Sequence, residues 1–160
     1  MAVAFAHYTR FTDQDGAYVN GRNYQNFFVG ESRTYQSVAY GFAPFNIVGL
    51  TSSRNGDVGQ ASLITIPNEI TVPLFAEVIL NRWMMEIRTV AISVAEDEPF
   101  SESMDIAMEV WACTGGTTEV DKITITLSSP LNAAMKEIPA RVLTRAMVGA
   151  IPPTGQIVVS

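Results

Sequence analysis

At 160 residues the chain is long enough for one domain with a real core and too short for two. A net charge of −6 argues against general nucleic-acid binding, which needs a basic face, and the single Cys113 excludes an internal disulfide or a cysteine-rich zinc or iron–sulfur centre. Apolar residues make up 48% against 16% charged, a surplus with two ordinary outlets, a large core or a buried subunit interface.

The opening Met1-Ala2-Val3-Ala4-Phe5-Ala6 has no basic leader and its apolar run stops at His7, so an export signal is not expected and synthesis in the cytoplasm is. Residues 1–16 read as an N-terminal arm. Asp13-Gln14-Asp15-Gly16 resembles the start of a calcium loop, but Tyr24 stands where the closing bidentate glutamate belongs, so a turn of the Asp-Gly kind is the better reading.

Residues 17–129 read as a β core. Tyr18-Val19-Asn20-Gly21-Arg22-Asn23-Tyr24 predicts a hairpin, because Asn-Gly tolerates the positive φ angles of a type I′ turn; its second strand can run on through Phe27, Phe28 and Val29. A polar, aromatic-sprinkled stretch follows from Glu31 to Phe42. Phe45–Leu50 and Ala61–Ile66 read as strands around the turn chemistry of Ser52 to Asp57. One helix is predicted at about 71–83: Thr71 caps it, Pro73 suits its first turn, and Val72, Phe75, Val78, Ile79 and Trp83 form the apolar stripe beside Leu74. Its longest apolar run, Val72 to Leu80, is interrupted by Glu77 and far short of a bilayer span. A strand from Met85 to Val94, an acidic loop from Glu96 to Asp105, a strand from Ile106 and a turn at Gly115-Gly116 into Glu119–Leu127 predict an antiparallel meander.

Catalytic signals are thin. A nucleophile–base pair would require the lone His7 to meet the lone Cys113, which sits in an apolar, strand-like run and reads as a buried, inert thiol. No nucleophile elbow, phosphate loop or zinc-binding helix motif occurs. The chain therefore reads as a non-enzyme without a cofactor. The acidic residues Glu96, Asp97, Glu98, Glu102 and Asp105 read as a solvated loop rather than a cation site. Tyr18, Tyr24, Phe27, Phe28, Tyr35, Tyr40, Phe42 and Phe45 read as core and hairpin packing, with a stacking platform for a flat ligand as the alternative.

The most telling segment is the last, 130–160, an extended C-terminal arm. Pro139, Gly149 and Pro152-Pro153 forbid one continuous helix, yet Val142, Leu143, Met147, Val148 and Ile151 need burial and carry Arg141 and Arg145 among them. An apolar, proline-punctuated, basic arm on an acidic protein predicts docking onto a neighbour. Pro139, Arg141, Leu143, Arg145, Met147 and Ile151 are the expected interface residues, the two arginines facing a neighbour's acidic residues Glu96 to Glu102.

The order of pieces resembles the tail-tip proteins of long-tailed bacteriophages, in particular the hub-forming part of the minor tail protein L family. The resemblance is carried by the Tyr18–Tyr24 hairpin, the strand Phe45–Leu50, Ala61–Asn68 with the helix after it, Arg88-Thr89-Val90, and the closing Pro139–Arg145 and Gly149–Pro152. It implies a mainly β domain with one helix, an antiparallel β-barrel or split barrel of the tail-tube and baseplate-hub type. It implies a structural virion protein at the tail tip, in a ring between tube and central hub or fibre proteins, with DNA only as passing cargo. Other phage tail proteins are the implied partners, with a trimeric ring favoured and a hexamer the alternative. The family's cysteine-ligated cluster is not carried over, since Cys113 stands alone. The competing reading is a β-sandwich receptor- or carbohydrate-binding module.

Overall fold

A computed structural model of the protein describes residues 2–49, 60–94 and 101–130. The arm residues Pro139, Arg141, Leu143, Arg145, Met147 and Ile151, and the carboxylates Glu96, Asp97 and Glu98, lie outside the described residues.

Among the described residues the fold is mainly β with one multi-turn helix, as the strand-rich sequence predicts. In chain order the elements are β1 (Ala2–Thr12), β2 (Tyr18–Gln25), β3 (Arg33–Tyr35), β4 (Val38–Phe42), β5 (Phe45–Val48), β6 (Gln60–Thr65), α1 (Thr71–Asn81), β7 (Met84–Val94), β8 (Ser101–Thr118) and β9 (Ile123–Ser128). They form one nine-stranded sheet in the order β3-β4-β2-β1-β7-β8-β9-β6-β5. The sheet is mixed, because β2 pairs parallel to β4 while the other ladders are antiparallel. It does not close into a barrel. Its β5 end nevertheless comes near β2: the Asn26 side-chain amide, one residue past β2, donates to the Phe45 carbonyl of β5.

Several local expectations change. The first residues are no arm: β1 lies inside the sheet between β2 and β7, its even-numbered positions Ala6 and Tyr8 fully buried. Asn20-Gly21 does not turn the chain. Gly21 has φ +71° within β2, and the hairpin turn lies earlier, where the Asp13 carboxylate accepts from the Asp15 and Ala17 amides. Asp13–Gly16 is thus the turn its chemistry predicts, and it joins β1 to β2. The stretch from Glu31 to Phe42 holds an unforeseen hairpin, β3–β4, whose two-residue loop Gln36-Ser37 takes positive φ without glycine. Gly115-Gly116 also fails to turn; β8 runs through it and the reversal falls at Glu119–Lys122, closed by a hydrogen bond between those two residues' backbones.

The helix forms as expected, with a different cap. The Asn68 side chain accepts from the Ile70 and Thr71 amides, while the Thr71 hydroxyl donates back to the Ile66 carbonyl. Its buried face is Thr71, Leu74 and Val78, with Phe75 and Ile79 alongside; Val72, counted in the stripe from sequence, is exposed. α1 packs against β8 and β9 over a core that includes Phe11, Trp83, Met85, Ile87, Trp111, Ile125 and Leu127. The β7–β8–β9 meander stands as predicted.

Candidate functional site

Directly paired residues of an antiparallel ladder share a face, so the registers sort side chains without ambiguity. Phe11 opposite Met85, and Met85 opposite Trp111, define the face that α1 covers. Tyr8 opposite Arg88, and Arg88 opposite Met108, define the other.

On that second face the β3–β4 hairpin folds over the sheet. Tyr35 stacks on Tyr8 at 5.0 Å between ring centroids, and Tyr40 meets Tyr8 edge-on at 4.8 Å. Beneath them lie Ala6, Val90 and Ile92, with Phe28 packed alongside. Polar groups close the hairpin's tip: the Tyr35 hydroxyl and the Gln36 amide donate to the Asp105 carboxylate, and Arg88 donates to Asp105 at 3.0 Å and to Gln36 at 2.6 Å. Arg88 also reaches the buried Glu86, whose other oxygen accepts from the Tyr18 hydroxyl at 2.8 Å. Arg10 lies 3.5 Å above the Tyr18 ring.

Both carboxylates of this network are engaged within the fold, each accepting hydrogen bonds from a tyrosine hydroxyl and from Arg88. Partial burial pushes the Asp105 carboxyl up, but the bonds from Tyr35, Gln36 and Arg88 and the charge of Arg88 outweigh it, so its pKa falls below the ordinary aspartate value. A carboxylate held low contributes stability that is present above about pH 4 and lost as pH falls through its lowered native value. Asp105→Asn is therefore expected to flatten the acid limb of a stability–pH curve below about pH 4, measured by denaturant unfolding across that range.

Asp105 was read as part of a solvated acidic loop. It is instead a paired residue of β8, opposite Val90. Among the described residues no group of three or more His, Cys, Asp or Glu converges as a metal would need. His7 and Cys113 do not meet. His7 sits across from Thr89, with whose hydroxyl it shares a 3.3 Å hydrogen bond, and Cys113 binds the Trp83 carbonyl through its amide; Trp83 and Thr89 are roughly 20 Å apart at strand rise. Burial pushes the Cys113 thiol up to about 12. A thiol-reactive chromophore at pH 8 is expected to label nothing in the folded chain and one group after denaturation.

A cavity of about 20 Å³ lies between α1 and the sheet, lined by Phe11, Tyr24, Phe45, Leu63, Leu74 and Ile125; it has room for a single water and none for a metabolite. The aromatics of the first third are mostly packing, as expected: Tyr24, Phe28 and Tyr40 are buried. No helix among the described residues is long and apolar enough to cross a membrane.

The feature with interaction chemistry is the far part of β8. β9 pairs with β8 only from Ala112 to Thr118, so among the described residues Ser101–Trp111 are laddered on one side alone, to β7. That open edge carries exposed apolar side chains: Met104 is 61% exposed, Ile106 49%, Met108 56% and Val110 42%. On the α1 face of the same region Val3 and Phe5 of β1 are also exposed, beyond the reach of the helix. Two bulges, between the pairs at Thr89 and Val90 and at Ala91 and Ile92, interrupt the far end of the β7–β8 ladder, while Ala107–Trp111 is regular. Sequence reading placed the interface on the arm and missed this surface. The alternation Met104, Ile106, Met108, Val110 was visible, but apolar alternation normally marks the buried face of a strand.

Comparison with protein-family models gives no match, and comparison with curated proteins gives none either.

Proposed function

We infer that this chain is a structural assembly component, the ring-forming subunit of a bacteriophage tail tip, placed between the tail tube and the central hub or fibre proteins and enclosing the DNA channel. The observation that carries the reading is the open, apolar edge of β8. A sheet edge that has no second ladder among the described residues and carries a row of exposed Met, Ile and Val side chains is a surface that a monomer normally blunts and an assembling subunit uses. The finer architecture, a barrel or split barrel of the tail-tube type, belongs to the same proposal: an open sheet whose β5 end comes near β2 is what a subunit contributes when neighbours complete its hydrogen bonding. Ring closure by three copies is favoured, by six the alternative, and the reading calls for no cofactor and no catalytic residue. Its acidic charge suits a channel through which DNA slides without sticking.

The carbohydrate-binding alternative loses its anchors, since Tyr40 is only 2% exposed and Tyr35 is engaged with Tyr8 and Asp105. The deciding experiment is electron microscopy of intact particles with this chain located in the map. A ring of copies around the tail axis is the expected result; a chain missing from particles and single in solution would overturn the assignment.

A further inference from the structure

Beyond the end of β9, Ser101–Trp111 of β8 has no second ladder among the described residues. β9 ends with Ser128 opposite Ala112, and continuing its register would set Pro130 opposite Val110. Proline has no N–H to donate, so the chain cannot extend its own ladder there. This edge is acidic: Ser101–Trp111 contains Glu102, Asp105 and Glu109 and no basic residue. Asp105 is already held by Arg88, Tyr35 and Gln36, which leaves Glu109 as the edge carboxylate beside the regular stretch, its one described contact being the Trp111 indole N–H at 3.3 Å.

The complement is in the same sequence. Residues 138–160 contain Arg141 and Arg145 and no carboxylate side chain, and Ala140–Val148 is free of proline and glycine between Pro139 and Gly149. We propose that the β8 edge at Ala107–Trp111 accepts segment 139–148 of a second copy of this chain as an added antiparallel strand. Setting Arg141 opposite Glu109 places Ala140 opposite Val110, Val142 opposite Met108 and Leu143 opposite Ala107. Both arginines then lie on the Glu109 face, and the small and β-branched side chains lie on the face of Met108 and Val110. In that register a chain adding its own segment would have to return at Ala140 to the row it left at Pro130, with 131–139 looped out; a second copy meets no such constraint. The inference deepens the ring reading and rests on it in that copies must associate. It moves the expected partners of the arginines from the Glu96–Glu102 region to Glu109.

The test uses the full chain in two populations. One carries Met108→Cys, at a position 56% exposed; the other carries Ala140→Cys, Val142→Cys or Thr144→Cys, residues that share a face in any extended register. After mixing and mild air oxidation, mass spectrometry is expected to find an intermolecular disulfide from position 108 to at least one of the three, with yield falling about tenfold or more when Val120→Cys on the β8–β9 turn replaces Met108→Cys. Glu109→Arg is expected to weaken self-association by about fivefold, and adding Arg141→Glu to restore it. Association without any link to position 108 overturns this site and leaves the ring reading standing. A third sample carries both cysteines in one chain; a link that forms there and never between the two mixed populations overturns the second copy as donor. No association at any concentration overturns both.

Discussion

Replacing Gln25 by leucine is expected to lower stability by about 3–5 kcal/mol, although the two side chains are close in size. Gln25 is fully buried at the end of β2, where its amide satisfies the backbone that leaves the sheet. Its oxygen accepts from the Phe27 and Phe28 amides at 2.8 and 2.7 Å, and its nitrogen donates to the Phe28 and Glu31 carbonyls at 2.7 and 3.2 Å. One side chain thus occupies four backbone positions of a segment that has no ladder of its own. Leucine restores the volume and none of the bonds, so the Phe27 and Phe28 N–H groups stay unpaired at about 1–3 kcal/mol each, partly relieved by water, while the Phe28 carbonyl keeps its bond from the Glu31 amide. Denaturant unfolding of Gln25→Leu checks this. A loss below about 1 kcal/mol would mean that the loop satisfies itself. Because Phe28 packs against the cluster with Tyr8 and Tyr40, the same change is expected to loosen the β3–β4 hairpin above it.

The second large effect separates two adjacent glycines that look alike in sequence. Gly116→Ala is expected to destabilise by about 2–3 kcal/mol, while Gly115→Ala stays within about 0.5 kcal/mol of the parent. A Cβ at position 116 would lie 2.5 Å from the Thr124 carbonyl oxygen and 2.6 Å from the Phe75 ring, whereas one at 115 meets nothing within 4 Å. The Phe75 ring can swing aside; the Thr124 backbone cannot, because it is laddered on both sides, to β8 and to β6. Relief must therefore come from parting β8 and β9 or from lifting α1, and either unpacks Leu74, Val78 and Ile125. Paired thermal melts of the two variants read the difference directly. Equal effects would place the contact elsewhere.

These two cases mark where the amino-acid sequence was legible and where it was not. Periodicity placed α1 and the β7–β8–β9 meander, because long amphipathic runs fix both the element type and the buried face. It misplaced the glycines. Asn20-Gly21 and Gly115-Gly116 read as turns from local chemistry, yet both lie within strands, one where β2 takes a positive φ and the other where a helix must approach a strand closely. The β3–β4 hairpin was missed because its turn, Gln36-Ser37, lacks the usual glycine and is held down instead by Gln36 bonding to Arg88 and Asp105, partners far away in sequence. The N-terminal strand was taken for an arm since Ala2–Ala6 is short on β-branched residues; its place between β2 and β7, with Ala6 and Tyr8 buried, comes from tertiary pairing. The open edge of β8 lay beyond any local reading, because an unpaired edge is defined by where a neighbouring strand stops.

The most direct measurement is amide hydrogen exchange of the full chain, followed at increasing protein concentration. If β8 joins copies, the amides of Ala107–Trp111 that point away from β7 will slow by about tenfold or more as association sets in, while those of β6, already laddered to β5 and β9, will not change. Exchange at that edge that stays fast and independent of concentration in an assembled sample would contradict the account.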